Sequence, residues 1–163
     1  RLRSRHGYRG ADHVRFFRSA GHRDHPGGCH GGDRGYRFLI VTDARVAQFV
    51  EKAISRAIIP PFTCIGVERG GEVVAGVVFN CYTGADIHVT VAGSPTRSLI
   101  RSVGKYAYGQ LRCQRMTVIT EQPKVVEYAE RLGGVVEGAL RNQFGAGRDG
   151  VLIGILRDEW KPT

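Results

Sequence analysis

The stretch from Met116 to Leu140, MTVITEQPKVVEYAERLGGVVEGAL, allows few folds. Met116–Thr120 is a short run of β-forming residues. Pro123 stands where a first helical turn tolerates a missing N–H. Val125, Val126, Ala129 and Leu132 then recur at helical spacing, and Glu127 pairs with Arg131 four residues on. Gly133-Gly134 stops the helix, and Val135–Leu140 begins another strand. A strand–helix–strand unit this short belongs in a layered protein of sheet and helix.

The same reading extends upstream. Phe38–Val41 is an apolar run read as a strand, and Thr42-Asp43 offers an N-cap. Val46, Phe49, Val50, Ala53, Ile54 and Ala57 mark an amphipathic helix over roughly 44–57, which Pro60-Pro61 ends. Cys64–Glu68 and Glu72–Tyr82 read as strands joined by a hairpin at Arg69-Gly70-Gly71. Asp86–Ala92 is a fourth strand, with Ile87, Val89 and Val91 on one side and Asp86, His88 and Thr90 on the other. Gly93-Ser94-Pro95 then opens the longest helix, with Ser94 as N-cap and Pro95 at the first helical position. Leu99, Ile100, Val103, Ala107 and Leu111 form its core stripe; Arg97, Arg101 and Lys105 line a second, solvated face. After Leu140 a polar loop, Asn142–Gly150, leads to a last strand at Val151–Leu156. The order β-α-β-β-β-α-β-α-β-β mixes hairpins with crossovers. It predicts an α/β (α+β) protein with a mixed, mostly antiparallel sheet and helices on both faces.

Length and composition set limits. At 163 residues the chain holds one domain with a real core. No apolar run approaches the ~18 residues of a membrane span, and the N-terminal region lacks a signal peptide's apolar core, so the cytoplasm is expected. Cys29, Cys64, Cys81 and Cys113 form no CxxC pair and are expected to be free buried thiols. The net charge is +9, but residues 1–37 alone hold nine Arg against three Asp. Those residues contain no Lys or Glu, eight Gly, five His and only four of Leu, Val, Ile, Met and Phe. They read as a disordered basic tail or as non-native sequence of the kind GC-rich DNA yields out of frame. His22, His25, Cys29 and His30 have no spacing of a closed zinc site, so no metal is expected. Residues 38–163 form the folded domain.

Three places could carry chemistry. A strand that runs into a helix N-terminus aims free N–H groups and partial positive charge at one spot, which suits phosphate. Here Gly93 lets the backbone approach closely, Ser94, Thr96 and Ser98 add hydroxyls, and Arg97 adds a cation; an ordinary capped helix would look the same. No Walker A run or GxGxxG is present, so nucleoside triphosphates and dinucleotides have no support. His88, beside Asp86 on the fourth strand, could accept a proton near neutral pH. Tyr128 could donate one, or simply be a half-buried helix residue.

With these pieces in place, residues 38–160 resemble the GCN5-related N-acetyltransferase superfamily. Glu121, Glu130, Arg131, Leu132, Gly133, Glu137, Gly138, Leu140 and Arg141 match the family's "E-N-x-x-A…E-K-L-G-F…E-G-x-L-R" stretch, and Gly154–Trp160 is similar to its last strand. Thr96-Arg97-Ser98-Leu99 with Tyr106…Gln110-Leu111 resembles a helix found in phage and prophage members. The resemblance implies an enzyme that transfers an acetyl group from acetyl-CoA to a primary amine by direct attack. It implies that Val89 and Val91 line the pantetheine strand, that Gly93, Ser94, Thr96, Arg97 and Ser98 hold the pyrophosphate, and that Gln122 stands where an Asn often meets the cofactor. His88 is the candidate base and Tyr128 the candidate acid. The sequence also departs from the pattern: the Q/R-x-x-G-x-G loop is absent, Ala129 stands in place of the usual Tyr, Gly134 replaces Phe, and only one helix precedes Cys64. A catalytically degenerate protein that binds CoA or a partner stays open, as does nucleic-acid binding through the basic tail. A homodimer is compatible with the sequence, and no membrane partner is expected.

Overall fold

A computed structural model of the protein describes residues 38–162. The readings made on residues 1–37 lie outside the described residues. The described chain runs β1 (Leu39–Val41), α1 (Ala44–Ile54), β2 (Phe62–Arg69), β3 (Glu72–Asn80), β4 (Asp86–Gly93), α2 (Arg97–Gly104), β5 (Arg115–Thr120), α3 (Pro123–Arg131), β6 (Val135–Leu140) and β7 (Gly150–Leu156). The strands form one sheet in the order β1-β2-β3-β4-β5-β7-β6. β4 and β5 are parallel, and the other neighbouring pairs are antiparallel. The expected sheet is therefore present, and its crossover threads β7 between β5 and β6.

Side-chain alternation divides the sheet into two faces. On one, Val77, Phe79, Ile87, Val89, Met116 and Ile155 pack with Leu99 and Val103 of α2. On the other, Cys64, Val78 and Ala92 pack with Val46, Ala47 and Val50 of α1. α1 sits close because Gly66 and Gly76 pair across β2 and β3 beneath it. A Cβ on Gly66 would lie 2.6 Å from a Val46 methyl, and one on Gly76 would lie 2.9 Å from a Val50 methyl. α1 is capped by Asp43, whose carboxylate accepts from Arg45 N at 2.9 Å. It stops at Ile54, three residues before the expected end, because Ser55 turns left-handed at φ 51°.

α3 lies on the α2 face. Its end is fixed by Gly133 and Gly134: a Cβ on Gly133 would collide with the Glu159 carbonyl, and one on Gly134 would meet Ala129 O at 2.8 Å and Ile153 Cγ2 at 2.9 Å. The same crowding explains why a large aromatic cannot occupy position 134.

The long helix differs from expectation at both ends. Its N-cap is Thr96, whose hydroxyl accepts from Leu99 N at 3.2 Å, so Ser94 and Pro95 lie outside the helix. After Gly104 the chain widens into a π-helical segment, Lys105–Gln110, closed by Leu111 N donating to Tyr106 O at 2.9 Å. Tyr106 then packs its ring, tilted by 58°, against Phe79 with centroids 4.7 Å apart, and Tyr108 donates its hydroxyl to Ile155 O at 2.7 Å. Cys64 and Cys113 are buried free thiols as expected, but Cys81 is exposed in the turn after β3, where its backbone is left-handed. No helix among the described residues is long and apolar enough to cross a membrane.

Candidate active site

β4 and β5 run side by side only at their start. Asp86, Ile87 and His88 pair with Arg115, Met116 and Thr117, and the register ends there. β4 continues to Gly93 along β3, while β5 continues to Thr120 along β7. From Val89 onward β4 therefore has no strand on its β5 side. A parallel pair that splays this way exposes backbone amides to whatever enters the gap.

A cleft of about 570 Å³ fills the gap. Val89, Val91, Met116 and Val118 are its strand walls, Ile100 and Val103 of α2 and Tyr128, Ala129 and Leu132 of α3 flank it, and Ala53 and Ile54 of α1 reach it from the opposite face. The cleft thus passes through the sheet. Gly93, Ser94 and Pro95 also line it, as do Gln122, Lys124 and Arg131.

The turn from β4 into α2 needs its glycine. Gly93 has φ +78°, and a Cβ there would run into the Val74 carbonyl. Ser94 N points back to Val74 O at 3.5 Å. The first turn of α2 then carries Thr96, Arg97 and Ser98. Thr96 Oγ1 and Ser98 Oγ share a hydrogen bond of 2.9 Å, and Arg97 is exposed. Of the residues expected to hold an anion, Gly93 and Ser94 touch the cleft, whereas Thr96, Arg97 and Ser98 sit just beyond its lining at the helix N-terminus. Val89, Val91, Gln122 and Tyr128 all line it.

Tyr128 is half-buried on α3. Burial pushes its phenol above the ordinary range, with a smaller opposing effect from Arg131, whose guanidinium lies 5.6 Å from the ring centroid. His88 is elsewhere. It is the last β4 residue paired to β5, so it marks the vertex of the splay, and its ring lies on the α1 face with 36% of the side chain exposed. Its Nε2 is 4.0 Å from Asp86 Oδ2.

Asp86 belongs to a polar chain that crosses four strands. The Thr117 hydroxyl faces both Asp86 oxygens, at 2.9 and 2.7 Å. It accepts from Arg115 Nη2 at 3.1 Å. Arg115 in turn donates to both oxygens of Glu137 on β6, at 3.2 and 2.8 Å. The hydroxyl accepts on one side and donates on the other, so each bond polarises the next.

The strand walls and the start of the turn follow from local period or local residue type, and they line the cleft; His88, also singled out in the sequence, is not among the residues that line it. Sequence reasoning missed Ala53, Ile54, Lys124, Arg131 and Trp160 as cleft residues. Trp160 reaches the cleft by packing over Gly104, where even a Cβ would collide with its ring; an aromatic residue in the tail beyond the last strand was the only available signal.

No protein-family model matches the chain, and no curated protein matches it in sequence. Solved structures do match. Mutant forms of the spermidine/spermine N-acetyltransferase SpeG from Vibrio cholerae superpose with a TM-score of 0.59 at 16% identity, covering 75% of this chain and 96% of theirs. A dodecameric spermidine N-acetyltransferase from Vibrio cholerae gives 0.60 at 17% identity, covering 74% and 94%. A T. thermophilus protein whose structure is described as an acetyltransferase gives 0.53 at 23% identity, covering 68% of this chain and 65% of its own. The splayed parallel pair, the helix N-terminus at its mouth and these superpositions agree: the described domain has the fold of the GCN5-related N-acetyltransferases.

Proposed function

We propose that the protein is an N-acetyltransferase that takes its acetyl group from acetyl-CoA and delivers it to a primary amine by direct attack. One observation carries the reading: the β4–β5 splay beyond His88–Thr117, which opens an apolar cleft through the sheet.

The residues present fit the donor. The free edge of β4 from Val89 to Gly93 suits an amide-bearing pantetheine chain laid beside it, as a further strand would lie. The N-terminus of α2, with Arg97 in its first turn, suits a pyrophosphate. Lys124 and Arg131 place two more cations in the lining of the cleft. When bound, acetyl-CoA supplies a thioester already activated for acyl transfer. An amine with pKa ~10.4 is almost wholly protonated at pH 7, so the chain must remove a proton. His88 at the vertex, its Nε2 4.0 Å from Asp86 Oδ2, accepts it. Backbone N–H groups of β4 steady the carbonyl oxygen. Tyr128, kept protonated by its burial, donates a proton on the leaving side.

A second reading keeps the fold without turnover. Ala129 stands where the family's usual tyrosine would be, and this favours a protein that binds CoA or a partner only. Acetyl-CoA titration followed by a screen of amines for thiol release separates the two. Binding with thiol release supports the enzyme; binding without release across a broad panel supports the second reading; no binding removes the enzyme and the CoA-binding form of the second reading. Nucleic-acid binding by the basic residues 1–37 is tested by its salt dependence and by deleting that segment.

A further inference from the structure

Resting on the acetyltransferase reading, we infer that Arg131 is a positioning residue for Tyr128: it holds the phenol toward the cleft as the group that protonates the departing CoA sulfur. Tyr128 and Arg131 lie three residues apart on α3, so they are neighbours on one flank of the helix, and both line the cleft. Glu127, four residues before Arg131, offers it a carboxylate. Among the described residues Arg131 nevertheless makes no ion pair. Its guanidinium lies instead over the Tyr128 ring, 5.6 Å from the centroid.

The arginine sits at a fixed end of its helix. Just beyond it, Leu132 O accepts from Lys161 N at 3.0 Å, and Gly133 has no room for a Cβ against the Glu159 carbonyl. The sheet brings that end of α3 level with the vertex of the splay. His88 pairs with Thr117, Thr117 with Gly154 and Gly154 with Val135, the first residue of β6, in one row. A donor laid along β4 from Gly93 toward His88 brings its sulfur to the same level.

The charges there have one sign. Lys124 and Arg131 line the cleft, and no Asp or Glu does. Tyr128 thus has cations four residues before it and three after it on its own helix. Across the cleft, Ile100 and Val103 of α2, Val118 of β5 and Trp160 present no charge. Burial raises the phenol above its ordinary range, and Arg131 works against that rise. In the step served, the amine nitrogen bonds to the thioester carbon and the C–S bond breaks. The electron pair stays on sulfur, which takes the phenol proton of Tyr128. The amine's surplus proton goes to the base, and solvent then reprotonates the phenolate. The cations favour the negative charge that develops first on sulfur and then on the phenol oxygen.

The test needs no acceptor. Calorimetry on the full chain measures the affinity for CoA and for desulfo-CoA, which lacks the thiol, at pH 7 and at pH 9. Lys124 and Arg131 stay charged across that range. The affinity for CoA should rise about four-fold relative to desulfo-CoA, because the site favours the thiolate. Arg131→Gln should remove most of that gain, and Arg131→Lys should restore part of it. Arg131 is exposed, so its replacement leaves the core intact. In a Tyr128→Phe background, Arg131→Gln should change the gain no further, because it acts through the ring. No gain in the parent protein overturns the inference, as does an additive loss in the double variant. Equal weakening of both ligands with the gain intact makes Arg131 a phosphate contact and overturns it too. Failure of the parent protein to bind either ligand removes the donor-site reading itself, and the inference with it.

Discussion

The two halves of the sheet are built differently. In β2, β3 and β4, both faces are covered: α1 seals one through Val46 and Val50, and α2 with its π-helical extension seals the other through Leu99, Val103 and Tyr106. In β5, β7 and β6, α3 covers one face and no helix among the described residues covers the other. There the sheet is dressed by the Arg115–Glu137 pair, Thr117 and the β6–β7 loop, and β6 is exposed along almost its whole length. The first half invests in burial and gains rigidity. The second forgoes burial and leaves a face open to solvent. The residue proposed as the base, His88, lies where the halves part.

Substitutions in each half should separate these roles. Phe79→Ala, in the doubly covered half, removes a ring that is 1% exposed and packed against Tyr106; it should cost about 3–5 kcal/mol in denaturant unfolding. At the boundary, His88→Ala should lower kcat about 10²-fold with little change in melting temperature; a variant of full activity removes His88 as base. Gly93→Ala forces a side chain into a left-handed turn and against Val74; it should cost about 1–2 kcal/mol and weaken acetyl-CoA binding, read by calorimetry. Val136→Thr on the open half, at a position 43% exposed, should shift stability by less than about 0.5 kcal/mol. A large loss there would mean that β6 is covered in solution.

The smallest effect expected is on pH dependence. The hydrogen bond from Arg148 holds the Glu121 carboxyl below its ordinary value of 4.5. A carboxyl with a lower value folded than unfolded stabilises the fold above the ordinary range, and the contribution fades as pH falls through the folded value. Glu121→Gln should therefore flatten the acid limb of the stability curve slightly, as acid titration followed by circular dichroism can show.

Much of this was legible in the sequence. The strands declared themselves through period-two alternation, and Asp86 and His88 were placed on one face by their spacing alone. The end of α3 was marked by Gly133-Gly134. Local competition hid the cap of α2: Ser94, Thr96 and Ser98 are all suitable residues, and only the turn at Gly93 decides in favour of Thr96. The π-helical widening had no local marker, since Lys105–Gln110 suits an ordinary helix and the choice rests on what Tyr106 and Tyr108 reach across the core. The cleft was half-legible. Its strand walls follow from the β4 pattern, but Ile54, Arg131 and Trp160 converge from distant parts of the chain, and that convergence is tertiary. The pairing of Arg115 with Glu137 likewise depends on β7 lying between their strands, an order that connection lengths do not reveal.

The short β4–β5 junction has a mechanical consequence. Two plates, β1 to β4 and β5 to β6, are fastened at the junction by three rungs, Asp86–Arg115, Ile87–Met116 and His88–Thr117, whereas β5 and β7 share six. Such a seam is the compliant line of the sheet. Torsion about it widens or narrows the cleft while each plate keeps its own hydrogen bonds. The Asp86–Thr117 bond straddles the seam, acting as a clasp directly beside the residue proposed to take the proton.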